Sequence, residues 1–350
     1  LLKFFFFYFH QGNENSKEKT NMKPGQLKNA CDTLEISRIL QSLIYAMNPE
    51  DVRKEILEDS IRRSKHKDHV KFMGTWYLDY NGEPLDHDPV KAQQFQMTGK
   101  KPRVQMKDVT VSEPVAQLDD HHPNFIKFVE LNKEDLMHKI CLFTVCISYN
   151  ISSVHYVAFI YIPESSLLLS FDPGHQVYVH GQATIVYVVR QSFSKNGLIS
   201  DARSRPSQDL GKCTDFEFCG IIYGVQFNGD YESGQPMDAM CQTWTVYFLQ
   251  QAIQHDFKDF SFINDICSIT PALREFELLE KTVLPWLKRK RYKKLRETFS
   301  EYIHQEVGPD WSLEDAIAFI ELFVKQCPQH EEDTVSCPRR RRQQKQQLLM

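Results

Sequence analysis

The stretch KICLFTVCISYNISSVHYVAFIYIPESSLLLSF (139–171) decides the fold. It contains three β-branched and aromatic runs, KICLFTVCISY (139–149), HYVAFIYI (155–162) and LLLSF (167–171). Short breaks at Asn150–Ser153 and Pro163–Ser166 separate them. Runs of this length bounded by turn residues predict buried, neighbouring strands. Downstream, GQATIVYVVRQSF (181–193) is a strand by composition or a helix by position, and periodicity does not separate the two. CGIIYGVQF (219–227) predicts another strand, and a loop rich in Gly, Asp and Pro (228–238) leads into CQTWTVYFLQQAI (241–253). In that last segment Trp244, Phe248 and Ala252, with Cys241, Tyr247 and Leu249, form an apolar face at helical spacing.

Helical patterns flank this strand-rich centre. Residues 22–70 are polar and helix-like, with Leu34, Ile36, Ile39, Leu40 and Leu43 in phase. Asn48-Pro49 breaks that run, and a charged helix is expected over about 50–65. The region 71–135 carries turn signals at Asn81-Gly82, Asp86–Pro89 and Asp119–Pro123 but no clear element. Near the end, a helix is expected over 272–305, interrupted at Pro285, and another over 311–327, with Ser312 capping it three residues before Asp315. The fold class is therefore α+β, with extra helices at both ends.

The composition narrows the function classes. Of 350 residues, 41% are apolar and 24 are Phe, enough for a substantial core, which excludes general disorder. The opening LLKFFFFYF is half the roughly 20 residues of a membrane span, so no membrane partner is expected. Residues 1–21, ahead of Met22, read as a non-native or disordered leader. The nine cysteines include no CxxC, so reduced thiols are expected, with no metal or organic cofactor. Cys213 and Cys219 are the nearest approach to a metal pair.

Charge is unevenly spread. Lys288–Arg296 (KRKRYKKLR) and Arg339–Lys345 (RRRRQQK) hold 12 of the 42 Lys and Arg, leaving 30 against 46 acids elsewhere. Such basic blocks bind nucleic acid, or they form a solvated helix face and an unfolded tail.

One set of residues carries chemistry. A thiol protease needs a cysteine whose thiolate is stabilised, an imidazole to share the proton, and a group to orient that imidazole. It also needs a donor for the oxyanion. His155 is expected to open a strand and Asp172 to end the next, just before Pro173-Gly174. Cys241 begins a long apolar helix, where free N–H groups and the helix dipole favour negative charge. Two glutamines precede it as oxyanion candidates, Gln235 by six residues and Gln226 by fifteen.

The segment QPMDAMC (235–241) resembles the Gln-Pro-x-x-x-x-Cys segment of the ubiquitin-like-modifier proteases. His155-Tyr156, the Asp ending the next strand, and the order His, Asp, Gln, Cys also resemble that family and the related adenain-type proteases. The resemblance covers roughly 135–255. It departs in three places: Gln242 follows the Cys where the family usually has Gly, Tyr156 replaces the usual Trp, and the Asp-to-Cys interval is long. With the FDPG turn and the CQTW helix start, these departures are most similar to adenain-type proteases of large DNA viruses.

The resemblance implies a papain-like cysteine protease, a central mixed sheet with the nucleophile helix packed on it. It implies Cys241 as nucleophile, His155 as general base, Asp172 as its orienting partner and Gln235 as oxyanion donor, with Trp244 and Phe248 as helix anchors. The implied domains are an N-terminal helical region (22–70), a catalytic domain (71–270), a C-terminal helical region (271–328) and a disordered basic tail (329–350). The implied substrate is a protein, either a viral precursor polyprotein or a ubiquitin-like conjugate, met inside the cell or in a virion. Nucleic acid is a further expected partner through Lys288–Arg296. The competing class is a catalytically inactive nucleic-acid-binding scaffold or virion structural protein.

Overall fold

The computed structural model describes residues 34–80, 109–112, 129–150, 153–174, 182–200, 210, 212–218, 221–226 and 240–326. In chain order, helices α1 (Leu34–Met47) and α2 (Glu50–Arg63) precede strands β1 (Val70–Tyr80) and β2 (Val109–Ser112). Helix α3 (Lys133–His138) follows, then β3 (Ile140–Asn150), β4 (Ser153–Ile162) and β5 (Leu167–Phe171). Helix α4 (Gln182–Lys195) leads to β6 (Lys212–Phe218) and β7 (Ile221–Gly224). The remainder is helical: α5 (Cys241–Gln254), α6 (Ser261–Ser268), α7 (Arg274–Leu278), α8 (Leu284–Lys288), α9 (Lys293–Glu306) and α10 (Leu313–Gln326). The protein is thus α+β, in two units.

The first unit takes in Lys67–Phe171 and Tyr178–Asp209. Its sheet is mixed and runs β2-β1-β3-β4-β5, with β1 and β3 parallel and the other neighbours antiparallel. On β3 and β4, residues of both parities are buried: Cys141, Leu142, Phe143, Val145, Val157, Ala158, Phe159 and Ile160. A strand buried on both faces reads as a continuous apolar run, which is why 139–171 stands out in the sequence. Phe143 is the hub of one face. Its ring stacks on Trp76 at 4.1 Å, on Phe159 at 5.2 Å and on Phe193 of α4 at 5.9 Å between centroids.

The ambiguous segment 181–193 is helix α4. Val186, Val189 and Phe193 recur at intervals of three and four and pack in the same core cluster as Phe143 and Phe159. Arg190 Nη1 donates to the Leu168 carbonyl at 3.0 Å, and Tyr161 Oη donates to the Leu198 carbonyl at 2.8 Å.

Strand β1 corrects the expectation that 71–135 lacks clear elements. Its ladder with β3 shifts register between Phe72 and Thr75, where Gly74 takes φ 86°. A bulge displaces the in–out alternation by one residue, so the strand's period is broken in the sequence.

The second unit takes in Pro24–His66, Asp172–Val177 and Leu210–Met350. Gln250 of α5 ties three helical segments together: its Nε2 donates to Ser60 Oγ at 2.9 Å and its Oε1 accepts from Trp286 Nε1 at 3.0 Å. Asp59 of α2 gathers Arg62, Arg63, Arg291 Nε at 2.7 Å and Tyr292 Oη at 3.2 Å. Burial works to raise its carboxyl, but the hydrogen bonds from Arg62 and Arg63 and the Arg291 charge hold it below the usual carboxylate range.

Three sequence expectations need correction here. Pro285 does not interrupt its helix. A π turn at Leu279–Val283 joins α7 to α8, and Pro285 sits in the first turn of α8, where its missing N–H costs little. The break falls instead between Lys288 and Lys293. Strand β7 ends at Gly224, so Val225 and Gln226 are in a turn rather than a strand. Cys267 is disulfide-bonded, against the expectation of reduced thiols; local spacing carries no signal for a pair distant in sequence.

The Ser312 cap forms as a reciprocal pair. Ser312 Oγ accepts from the Asp315 N–H at 3.1 Å, and Asp315 Oδ2 accepts from the Ser312 N–H at 3.2 Å.

Candidate active site

The four expected catalytic positions are distributed over both units. His155 belongs to the first; Asp172 and Cys241 belong to the second. Gln235 lies outside the described residues, as do Cys219, the 1–21 leader and the 329–350 tail.

His155 is the third residue of β4, so it stands inside the strand rather than opening it. Its main chain pairs with Ile147 of β3, and the residue is 3% exposed. Three residues further on, Ala158 pairs with Phe171, the last residue of β5.

Asp172 follows Phe171 directly and is buried. Its Oδ1 accepts from the Gly174 N–H at 3.1 Å, an Asx turn that Pro173 favours by fixing its own φ. The Pro173 carbonyl accepts the main-chain N–H of Gln226 at 2.9 Å, which ties this turn to the end of β7. Gln226 is itself buried.

Cys241 is the first residue of α5, after Met240 at the N-cap position. The first-turn N–H groups of a helix have no partner within it, and α5 has no acidic residue in that turn. Cys241 is 8% exposed, and its Sγ–H donates to Gln242 Oε1 at 3.3 Å. Gln242 Nε2 in turn donates to Asn48 Oδ1 at 2.7 Å. Trp244 and Phe248 are fully buried and anchor the helix.

The structure therefore brings together Asp172, Pro173 and Gln226 on one side, and Cys241, Gln242 and Asn48 on the other. Sequence reasoning missed the last two as a unit. In the sequence Gln242 stands out only as a departure from glycine, and Asn48 only as a helix break. A polar residue beside a buried cysteine was the available signal for the first; nothing local signals the second.

The basic segment is largely engaged. Of its seven cations, Lys288 pairs with Glu321, Arg291 with Asp59, Lys294 with Asp51 and Arg296 with Glu314. Arg289, Lys290 and Lys293 are exposed, with no ion pair among the described residues. No helix among the described residues is long and apolar enough to cross a membrane. Comparison with family models, with curated proteins and with solved structures returns no match.

Proposed function

We propose that this chain is a cysteine peptidase of papain-like type, hydrolysing peptide or isopeptide bonds in a protein substrate. The observation that carries the reading is Cys241 at the first position of a 14-residue helix, its thiol proton already in a hydrogen bond. His155 on β4 and Asp172 just after β5 supply the residue types for the other two roles. In this mechanism the imidazole takes the Cys241 proton and the sulfur attacks the substrate carbonyl carbon. The main-chain N–H of Cys241 and the Gln235 side chain hold the oxyanion. Collapse breaks the C–N bond, the imidazolium returns its proton to the leaving amine, and water then hydrolyses the thioester to release acid and free thiol.

Either a precursor polyprotein or a ubiquitin-like conjugate fits this chemistry. A nucleic-acid contact through Lys288–Arg296 would rest on Arg289, Lys290 and Lys293, giving a salt slope of about three phosphates. The test is a panel of modifier-fused fluorogenic substrates beside a thiol-reactive peptide probe. Hydrolysis with probe adduct on Cys241 is the expected result. A silent Cys241 with salt-sensitive DNA binding overturns it in favour of a scaffold.

A further inference from the structure

Asp59 does more than hold α2 to the turn before α9. Its two oxygens take four donors. Arg62 Nη2 at 2.5 Å and Arg63 Nε at 3.1 Å meet Oδ1; Arg291 Nε at 2.7 Å and Tyr292 Oη at 3.2 Å meet Oδ2. A carboxylate has about four acceptor sites, so this one is saturated. The guanidiniums are not. Each has five N–H donors in a rigid fork and gives Asp59 one nitrogen. The carboxylate is buried, while the side chains of Arg62, Arg63 and Arg291 are 73%, 56% and 34% exposed. Three positive charges thus gather on one negative charge, with their outer edges in water.

The same turn carries more charge. The Tyr292 N–H closes it on the Arg289 carbonyl at 3.0 Å, and Arg289, Lys290 and Lys293 are exposed. The helix N-terminus beside them is already filled: Glu55 accepts the main-chain N–H groups of Lys294 at 3.2 Å and Leu295 at 3.4 Å. An incoming anion therefore meets side chains rather than helix N–H groups. Glu58, one turn before Arg62, pairs with Lys54 at 3.7 Å.

We propose that Arg62 and Arg63 of α2 join Arg289, Lys290, Arg291 and Lys293 in one phosphate-binding surface, whose partner is the backbone of a nucleic-acid duplex. This rests on the nucleic-acid contact through Lys288–Arg296 stated above, widens it from three cations to six, and is independent of the peptidase reading. In the sequence Arg62-Arg63 is only the charged end of a helix; the bond between Asp59 and Tyr292, 233 residues apart, puts it beside the basic segment. The excess of guanidinium over carboxylate fits phosphate oxygens, which accept paired N–H groups bidentately. An anionic membrane fits less well, since such surfaces also insert apolar side chains. The exposed large apolar residues among those described, Leu34, Leu131 and Met137, lie elsewhere in the chain. Phosphate contacts carry no sequence information, so binding is indifferent to base sequence.

The test is fluorescence anisotropy of the full chain with a labelled DNA duplex of about 20 base pairs, over roughly 50–250 mM NaCl. Six contacts give a log–log slope near about −5, against about −3 for the three cations of the basic segment alone. Arg62→Gln with Arg63→Gln should flatten the slope by about two. Arg62→Lys with Arg63→Lys keeps both charges and should keep the slope. Asp59 retains Arg291 and Tyr292 in both pairs; if the glutamine pair still melts early, Arg62→Gln alone reads a loss of about one. A wild-type slope near about −3, or a glutamine variant with the wild-type slope, overturns the proposal. The contact then stays with the basic segment, provided that neutralising Arg289, Lys290 and Lys293 flattens the slope. No salt-dependent binding by the wild type overturns both the wider surface and the nucleic-acid contact. Tighter binding to phosphatidylserine–phosphatidylcholine vesicles than to DNA overturns the duplex as partner.

Discussion

Cys141 and Cys241 are both buried near the start of an element, β3 in one case and α5 in the other. Both thiols also donate to an oxygen. Cys141 gives its proton to the main-chain carbonyls of Asp135 at 3.5 Å and Lys139 at 3.4 Å. Burial pushes the Cys141 thiol up to about 12, and the Asp135 carboxylate adds to this against the charges of Lys71 and Lys139. Cys241 donates to a side-chain amide at a helix N-terminus. The acceptors of Cys141 are main-chain carbonyls of helix α3 and of the residue just before β3, whereas that of Cys241 is a side-chain amide whose other end is held by Asn48. Burial alone thus separates nothing. What distinguishes the two sulfurs is the kind of acceptor each meets and the helix N-terminus on which Cys241 alone stands.

The largest effect should divide these cysteines outright. Cys241→Ala should lower hydrolysis by about 10⁴-fold or more with the fold retained, since it removes the atom proposed to bond to substrate. Cys141→Ala should leave turnover within about twofold and cost about 1–2 kcal/mol of stability from a small cavity in the sheet core. Fluorogenic turnover and chemical denaturation of both variants check this. Residual hydrolysis by Cys241→Ala would remove Cys241 from the nucleophile's role.

The oxyanion donor comes next. Gln235→Ala should reduce kcat by about 10²–10³ with little change in KM, the usual effect of losing one such donor. Gln226→Ala should do much less, because what Gln226 gives the Asp172 turn is its main-chain N–H, which the substitution keeps. The reverse ranking in stably folded variants moves the oxyanion hole to Gln226.

The third effect is thermodynamic and isolates Cys141. A thiol whose folded value is raised keeps its proton where the unfolded chain has lost it. From the ordinary thiol value of 9.0 up to about 12 the native state binds more protons, so stability falls as pH rises. The limit for one group is about 1.4 kcal/mol per pH unit. Denaturation midpoints at pH 8 and pH 10 should therefore differ less for Cys141→Ala than for the wild type. Equal differences would mean that the Cys141 thiol is not held in this way.

These contrasts also mark what the sequence made legible. The strands of 139–171 are readable because burial on both faces leaves no polar interruption, and α5 because Trp244, Phe248 and Ala252 keep helical phase. Strand β1 is not legible because Gly74 and its bulge break the alternation on which a strand reading depends. Helix α4 stayed ambiguous because Val and Ile suit either state, and only the partners of Val189 and Phe193 decide. At the site, local cues mark Cys241 and the Asp172 turn, whose signals lie within a few residues. The Asn48–Gln242 bond joins positions 194 residues apart, and no local pattern encodes it.

The smallest effect tests whether the α2 scaffold behind Gln250 is electrostatically tuned. Asp59 is 4% exposed, while its partners Arg62 and Arg63 remain exposed. Its carboxyl is held below the ordinary 3.8, so between that value and the lower folded one the unfolded chain binds more protons. Stability from this group is therefore complete above the ordinary value and is lost as pH falls through the folded one. Asp59→Asn should cost about 1–2 kcal/mol at neutral pH, discounted because exposed arginines keep much of their hydration. It should also flatten the acid limb of stability against pH. Because Ser60, one residue on, receives the Gln250 bond, the loss should appear as earlier unfolding of the helical unit. An acid limb equally steep in Asp59→Asn and the wild type would mean that the surrounding arginines do not hold this carboxylate in its charged form.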